Sequence, residues 1–247
     1  MWRTVRDVLL IIFFTLLFAA GIKSCVIDAY KIPTDSMSET LRAGDFLLVN
    51  KFIYGARTPE KFLFLRIPSY TFPALTAAAR GDVVVFEFPG EPDEIFPPPN
   101  QFLVKRIVAL PGDTVEIANA NLIVNGFRTK QSYSQFDAAP FSAVVPYKGM
   151  AIPLDPSALH RWSVFIRREG HRIDSDGNSV LIDGASSSSY VVQKDYFFVV
   201  GDNAKNSYDS RHWGFVPEEN VIGRAMIVYW SKDENGIRWG RIGTVVR

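Results

Sequence analysis

From residue 30 onward the chain is written in short runs of β-branched and aromatic residues separated by turn residues, with few stretches at the period of a helix. Three of these runs begin alike. AGDFLLV at 43–49, RGDVVVFEF at 80–88 and PGDTVEI at 111–117 each set Gly-Asp ahead of an apolar strand. Their unequal spacing argues against an internal repeat. YFFVVGDN at 196–203 and VIGRAMIVYW at 221–230 predict two more strands. The pattern breaks into surface loops at 66–80 and at 89–101, where PGEPDEIFPPPNQ carries prolines that cannot serve a central strand. Residues 118–192 turn more polar, and NANLIVNGFRT, REGHRIDSDGNSVLIDG and GASSSSYVV predict hairpins and flexible turns of an inserted unit.

One run is apolar without alternation. Val8 to Ile22 carries no charge and is flanked by Arg3, Arg6 and Lys23. A membrane span needs about 20 such residues, a length reached only if the run continues to Ile27 with Lys23 snorkelling. Three readings stand: a cleaved secretory peptide ending near FAAG, a retained single-pass anchor, or a buried helix. Charge does not orient the segment, because Arg3 and Arg6 balance Lys23 and Lys31.

Charge and composition narrow the chemistry. The formal net charge of +1 over 247 residues offers no basic field for a polyanion, so nucleic acid is a poor partner. Cys25 alone forms no intrachain disulfide, and His160, His171 and His212 lack metal-site spacing. The expectation is a site without metal or cofactor.

In FLVKRIVALPGD, a period-two reading puts Leu103, Lys105 and Ile107 on one face and Val104, Arg106 and Val108 on the other. Both faces are apolar, so the two cations must be paired or lose their charge. Arginine keeps its proton, which makes Arg106 the candidate for a buried ion pair. Lysine can give it up: burial lowers its pKa from about 10.4 by several units and leaves a neutral amine able to act as a general base. Ser36, in KIPTDSMSETLRAGD, is a hydroxyl in need of such a base. Taken singly, Ser36 reads as a turn or N-cap serine and Lys105 as an edge-strand lysine. GDNAKNSYDSRHWG at 201–214 reads, by itself, as an ordered polar loop containing the Asp209, Arg211 pair.

Together, PTDSMSETLRAGD, RGDVVVFEFP, VKRIVALPGD and GDNAKNSYDSRHWG, in this order behind an apolar N-terminus, resemble the type I signal peptidase (leader peptidase) family. The resemblance implies a mostly β fold: a transmembrane helix in an anchor at 1–29, a β-rich catalytic core at 30–117 and 193–247, and an inserted β subdomain at 118–192. It implies a membrane-anchored serine endopeptidase that removes signal peptides from exported preproteins through an acyl-enzyme. Ser36 would be the nucleophile and Lys105 the general base, with Ser207 hydrogen-bonded to the lysine. Thr34 would supply a hydroxyl beside the oxyanion hole, to which the Ser36 N–H also contributes. Asp202 would pair with Arg106 and Asp209 with Arg211, and His212 would take no part in catalysis. Tyr30, Ile32, Met37, Leu41, Leu103 and Val104 would line pockets for an extended peptide with small side chains one and three residues before the cleaved bond. The implied location is a bacterial inner membrane, N-terminus in the cytoplasm and catalytic part on the outer, periplasmic side, with the lipid bilayer as a second partner.

One departure is Glu39, where the family often has proline; it would cap the following turn instead. Rival readings are a self-cleaving repressor, which would carry a DNA-binding segment ahead of the catalytic part, a specialised maturation peptidase of the same family, and a catalytically silent, membrane-tethered binding domain.

Overall fold

The computed structural model describes residues 5–15, 26–55, 61–62, 65–66, 70, 72–118, 121–129, 141–155, 157, 159–177 and 179–247. Residues 5–15 form a helix, α1, whose side chains are exposed. Among the described residues no helix is long and apolar enough to cross a membrane. The rest of the predicted span, 16–25, lies outside the described residues.

The strands that build the site are β1 (Ile27–Lys31), β2 (Asp45–Asn50), β3 (Val83–Glu87), β4 (Phe102–Ala109), β5 (Thr114–Ala118), β6 (Asn121–Val124), β7 (Phe127–Arg128), β8 (Phe141–Val144), β9 (Tyr196–Val200), β10 (Val216–Pro217) and β11 (Val221–Asp233). A nine-stranded antiparallel sheet runs in the order β1-β2-β11-β3-β4-β9-β10, with two short C-terminal strands also paired to β11. A second sheet runs β8-β5-β6-β7. Two short helices complete the parts used below, α2 (Leu159–Arg168) and α3 (Ser210–Trp213).

The three Gly-Asp strands form where their turns predict, and the turns share one device. Gly44, Gly81 and Gly112 take φ of 87°, 98° and 84°, a left-handed conformation that favours glycine. Each following aspartate then accepts the N–H three residues back, Asp45 from Arg42, Asp82 from Ala79 and Asp113 from Leu110. Asp45 carries a second load. It is fully buried and gathers Ser231 Oγ at 2.7 Å, Arg238 Nη2 at 3.2 Å and Arg241 Nη2 at 2.5 Å. Asp45→Ala would strand two arginines at once, so we expect a loss of about 3–5 kcal/mol, read as a lowered melting temperature.

The continuous VVVF run of β3 has a simple cause: both of its faces are covered. Val83 and Val85 join Leu47, Val49, Ala225 and Val228 in one cluster. Val84 and Phe86 join Ile107, Phe197, Val199, Trp213 and Val216 in another. A third cluster packs the region around 118–192. It reaches back to Val108, Ala109 and Val115 and forward to Tyr196, Phe198 and Val200, so the second sheet starts ahead of residue 118, at Thr114.

Candidate active site

Ser36 sits on a tight turn that follows β1 through Ile32 and Pro33. Main-chain bonds from Ser38 to Asp35, and from Thr40 and Leu41 to Met37, close the turn. The exposed Glu39 is not needed to cap it. Loop 201–209 holds the turn from the other side. Asn203 N–H donates to the Ser36 carbonyl at 3.0 Å, Asn203 Nδ2 donates to the Asp35 carbonyl at 3.0 Å, and Asp202 N–H meets Met37 Sδ at 3.3 Å.

The turn delivers a buried Ser36 hydroxyl to Lys105. Lys105 Nζ lies 2.6 Å from Ser36 Oγ, with the lysine 3% exposed. Burial pushes the Lys105 pKa down to about 8; Asp209 and Asp202 pull it back up, while Arg211 pushes it further down. When charged, the ammonium donates to the hydroxyl oxygen. When neutral, the direction reverses and the hydroxyl donates to the amine, the arrangement a nucleophile requires.

The neighbouring charges are paired. Arg106 grips Asp202 with Nε to Oδ1 at 2.8 Å and Nη2 to Oδ2 at 2.6 Å. Asp209 is fully buried and accepts Arg211 Nε at 2.7 Å, Nη2 at 2.8 Å and the Gly201 N–H at 3.0 Å. The Ser207 hydroxyl, expected on Lys105, donates instead to Asp209 Oδ2 at 2.6 Å, and no hydrogen bond joins it to the lysine among the described residues. A carboxylate two residues away is the stronger acceptor. Thr34 is exposed, its Oγ1 3.4 Å from Ser36 Oγ. His212 Nδ1 accepts the Asp209 N–H in the capping box of α3, and its ring packs on Tyr208.

Two strand edges lie open beside the serine. β1 ends the main sheet and pairs only with β2, among the described residues. Bonds from Ile32 N–H to Asp45 and from Lys51 N–H to Val26 set its alternation, which turns the main chain of Ala29 and Lys31 outward, the Ala29 N–H meeting Asp28 Oδ1 at 2.8 Å. The N-terminal half of β4 is open too, since β9 reaches only as far as Arg106. Its bonds to β3 turn the main chain of Phe102 and Val104 away from that strand. The rings of Tyr30 and Phe102 meet edge to face at 5.7 Å, bringing the two edges together across the curl of the sheet.

The six residues expected to line substrate pockets divide. Ile32, Met37 and Leu41 are core members, with Tyr30 and Val104 packed against the same cluster. Leu103 packs in the opposite cluster with Val84 and Phe86, because adjacent residues of a strand face opposite ways. A cavity of about 750 Å³ lies elsewhere, between the proline loop at 89–97, β8, α2 and the segment from Trp213 to Asn220; neither Ser36 nor Lys105 lines it. Among the described residues no cluster of histidine, cysteine and carboxylate side chains could hold a metal ion.

The family model for signal peptidase, peptidase S26, matches residues 5–230. The chain belongs to this family. It is 33% identical to the signal peptidase I of Aquifex aeolicus over 239 residues, 89% of this chain and 82% of that relative. It is 31% identical to that of Pseudomonas aeruginosa over 251 residues, 94% and 77% of the two chains. With the enzyme of Buchnera aphidicola from Schizaphis graminum it shares 31% over 255 residues, 91% and 76%. As a signal peptidase I the chain is a serine peptidase that processes signal peptides.

Sequence reasoning did not single out Asn203, Thr40 or Gly201, each of which lies in the Ser36 turn or against the groups that hold it. Asn203 and Gly201 flank Asp202, and that adjacency was the available signal.

Proposed function

We propose that Ser36 and Lys105 form the catalytic dyad that cuts signal peptides from exported preproteins. The observation that carries the proposal is the 2.6 Å contact between the two side chains at a buried position, with the amine's pKa lowered to about 8. A peptide adds as an extended strand between the outward main chains of Ala29 and Lys31 and those of Phe102 and Val104, which brings its scissile carbonyl to Ser36. Lys105 takes the hydroxyl proton as Oγ attacks the carbonyl carbon. The oxyanion that forms is stabilised by the Ser36 N–H and by Thr34, one good donor typically contributing about 3 kcal/mol. Lys105 then protonates the leaving amine as the peptide C–N bond breaks, leaving an acyl ester on Ser36. Water attacks the ester carbonyl as its proton passes to Lys105, and Lys105 then returns that proton to Ser36 Oγ as the ester C–O bond breaks, releasing the signal peptide with a free carboxylate and restoring the serine hydroxyl. Asp209 and Arg211, with Ser207, support this geometry without touching substrate, as Asp202 and Arg106 do on the other side of the turn.

The same reading gives the chain a single-pass anchor at 1–29, supported by the apolar run from Val8 and the helical residues 5–15. The catalytic core at 30–117 and 193–247 would lie on the periplasmic side of a bacterial inner membrane, interrupted by the unit at 118–192. Bilayer and substrate signal sequence then share one surface, which raises the effective concentration of the cleavage site.

The base works only when neutral, so activity must rise with pH and level off above the lysine pKa. With cleavage of a model preprotein by the detergent-solubilised chain, we expect kcat/KM to climb through a single limb centred near 8, the pKa of Lys105 in the free enzyme, unchanged by a chelator. Two pH units below that midpoint about one hundredth of the plateau remains. A flat profile from pH 6 to 9 would remove Lys105 from the role of base.

A further inference from the structure

The hydroxyl at the far end of the Ser36 turn, that of Thr40, takes a position that the turn itself does not explain. Thr40 Oγ1 is inserted into the Arg106, Asp202 ion pair: it donates to Asp202 Oδ2 at 2.5 Å and accepts from Arg106 Nη2 at 3.1 Å. Both capacities of the hydroxyl are thereby used, and its proton is committed to the carboxylate. A threonine at the end of a turn ordinarily bonds its own backbone. This one reaches across 162 positions of sequence to Asp202.

The placement matters because of what stands beside each member of the knot. Thr40 closes the turn that begins at Ser36, its own N–H bonded to Met37 O, so the two residues sit at the ends of one tight arm. Arg106 is the next residue to Lys105 on β4, and it is pinned there by Nη1 to the Gly81 carbonyl at 2.7 Å. Asp202 is 3% exposed and adjoins Asn203, whose N–H holds the Ser36 carbonyl. The serine's arm, the lysine's strand and the loop behind both therefore converge on one carboxylate.

We propose that Thr40 is a positioning residue, its hydroxyl locking the Ser36 turn to the Arg106, Asp202 pair and so fixing the distance between Ser36 Oγ and Lys105 Nζ. The inference rests on the Ser36, Lys105 reading above. Without the hydroxyl, the ion pair survives on its own two hydrogen bonds, and the fold keeps that anchor. The arm loses its far fixing point, and the nucleophile drifts relative to the amine.

Thr40→Val and Thr40→Ala remove the hydroxyl, the first nearly keeping the volume, and Thr40→Ser restores it. Cleavage of a model preprotein by the full, detergent-solubilised chain is measured for all three, with melting temperatures and with Ser36→Ala in the same assay. Because a misplacement near 1 Å costs on the order of a hundredfold, kcat is expected to fall roughly 10- to 100-fold in the valine and alanine variants. KM should stay within about twofold, since no substrate contact is lost, and the serine variant should recover most of kcat. A lowered melting temperature with kcat unchanged, or loss of fold in both the valine and alanine variants, would assign Thr40 to stability alone and overturn the proposal. A loss carried by KM with kcat intact would overturn it too. Full activity in Ser36→Ala is a different failure, one that removes the dyad reading beneath it.

Discussion

Ser36→Ala and Lys105→Met each abolish cleavage at the signal-peptide junction, with an expected fall in kcat of roughly 10⁴ to 10⁶, the scale seen when a nucleophile or its base is removed. The two losses should not add. A hydroxyl without a base and a base without a hydroxyl are equally idle, so the double variant should be no slower than either single one. Stability should move the other way from activity in the lysine variant. Methionine matches the length of the lysine stem and removes an ionisable group from a site 3% exposed, so the melting temperature should hold or rise. Lys105→Arg makes the sharper test. It keeps a cation of similar reach but cannot become neutral, and we expect it to be as inactive as the methionine variant. Substantial turnover in the arginine variant would show that charge at this position, and not proton transfer, is what the reaction uses. Retained turnover in Ser36→Ala would pass the nucleophile to another group.

What the sequence made legible was local. The three Gly-Asp turns identified their strands because the device is closed within four residues: a left-handed glycine, and an aspartate accepting the N–H three positions back. Lys105 and Arg106 drew attention for a reason that also stays within one strand, two cations among apolar residues on both faces. Choices among partners brought together by the fold were harder. Ser207 could reach either a lysine or a carboxylate, and only the bend of loop 207–209 turns its hydroxyl to Asp209. Thr40 reads as an ordinary turn residue until β4 and loop 201–203 arrive beside it. Leu103 and Val104 pack in opposite clusters, which the period of the strand already required of neighbours. A composition change at 118 likewise does not mark the strand at Thr114 that the second sheet uses, nor the core that sheet shares with Phe198 and Val200.

Gly201→Ala, a single methyl group, should cost nearly as much activity as the loss of a supporting side chain. The Gly201 backbone is not left-handed, so the constraint is space and not conformation. A Cβ there would lie 2.1 Å from Ser207 Oγ and 2.5 Å from the Ser36 carbonyl oxygen. Neither neighbour can step aside alone. The Ser36 carbonyl is held by the Asn203 N–H, and Ser207 is held by Asp209, which also takes the N–H of Gly201 itself. The loop and the nucleophile turn must separate, and the displacement falls between the groups that fix Ser36 and those that surround Lys105. Overpacking of this kind costs about 1–3 kcal/mol of stability, while a shift near 1 Å at the reacting atoms costs on the order of a hundredfold in rate. Activity should therefore fall out of proportion to the melting temperature. Gly126→Ala supplies the comparison: its φ of 79° makes alanine strained, yet nothing lies within 4 Å of the new methyl. That variant should lose about 1 kcal/mol and keep its turnover. If Gly201→Ala behaves like Gly126→Ala, a modest loss of stability with full kcat, then the working enzyme does not hold loop 201–209 this close to Ser36, and the support assigned to Asp202, Asn203 and Asp209 fails with it.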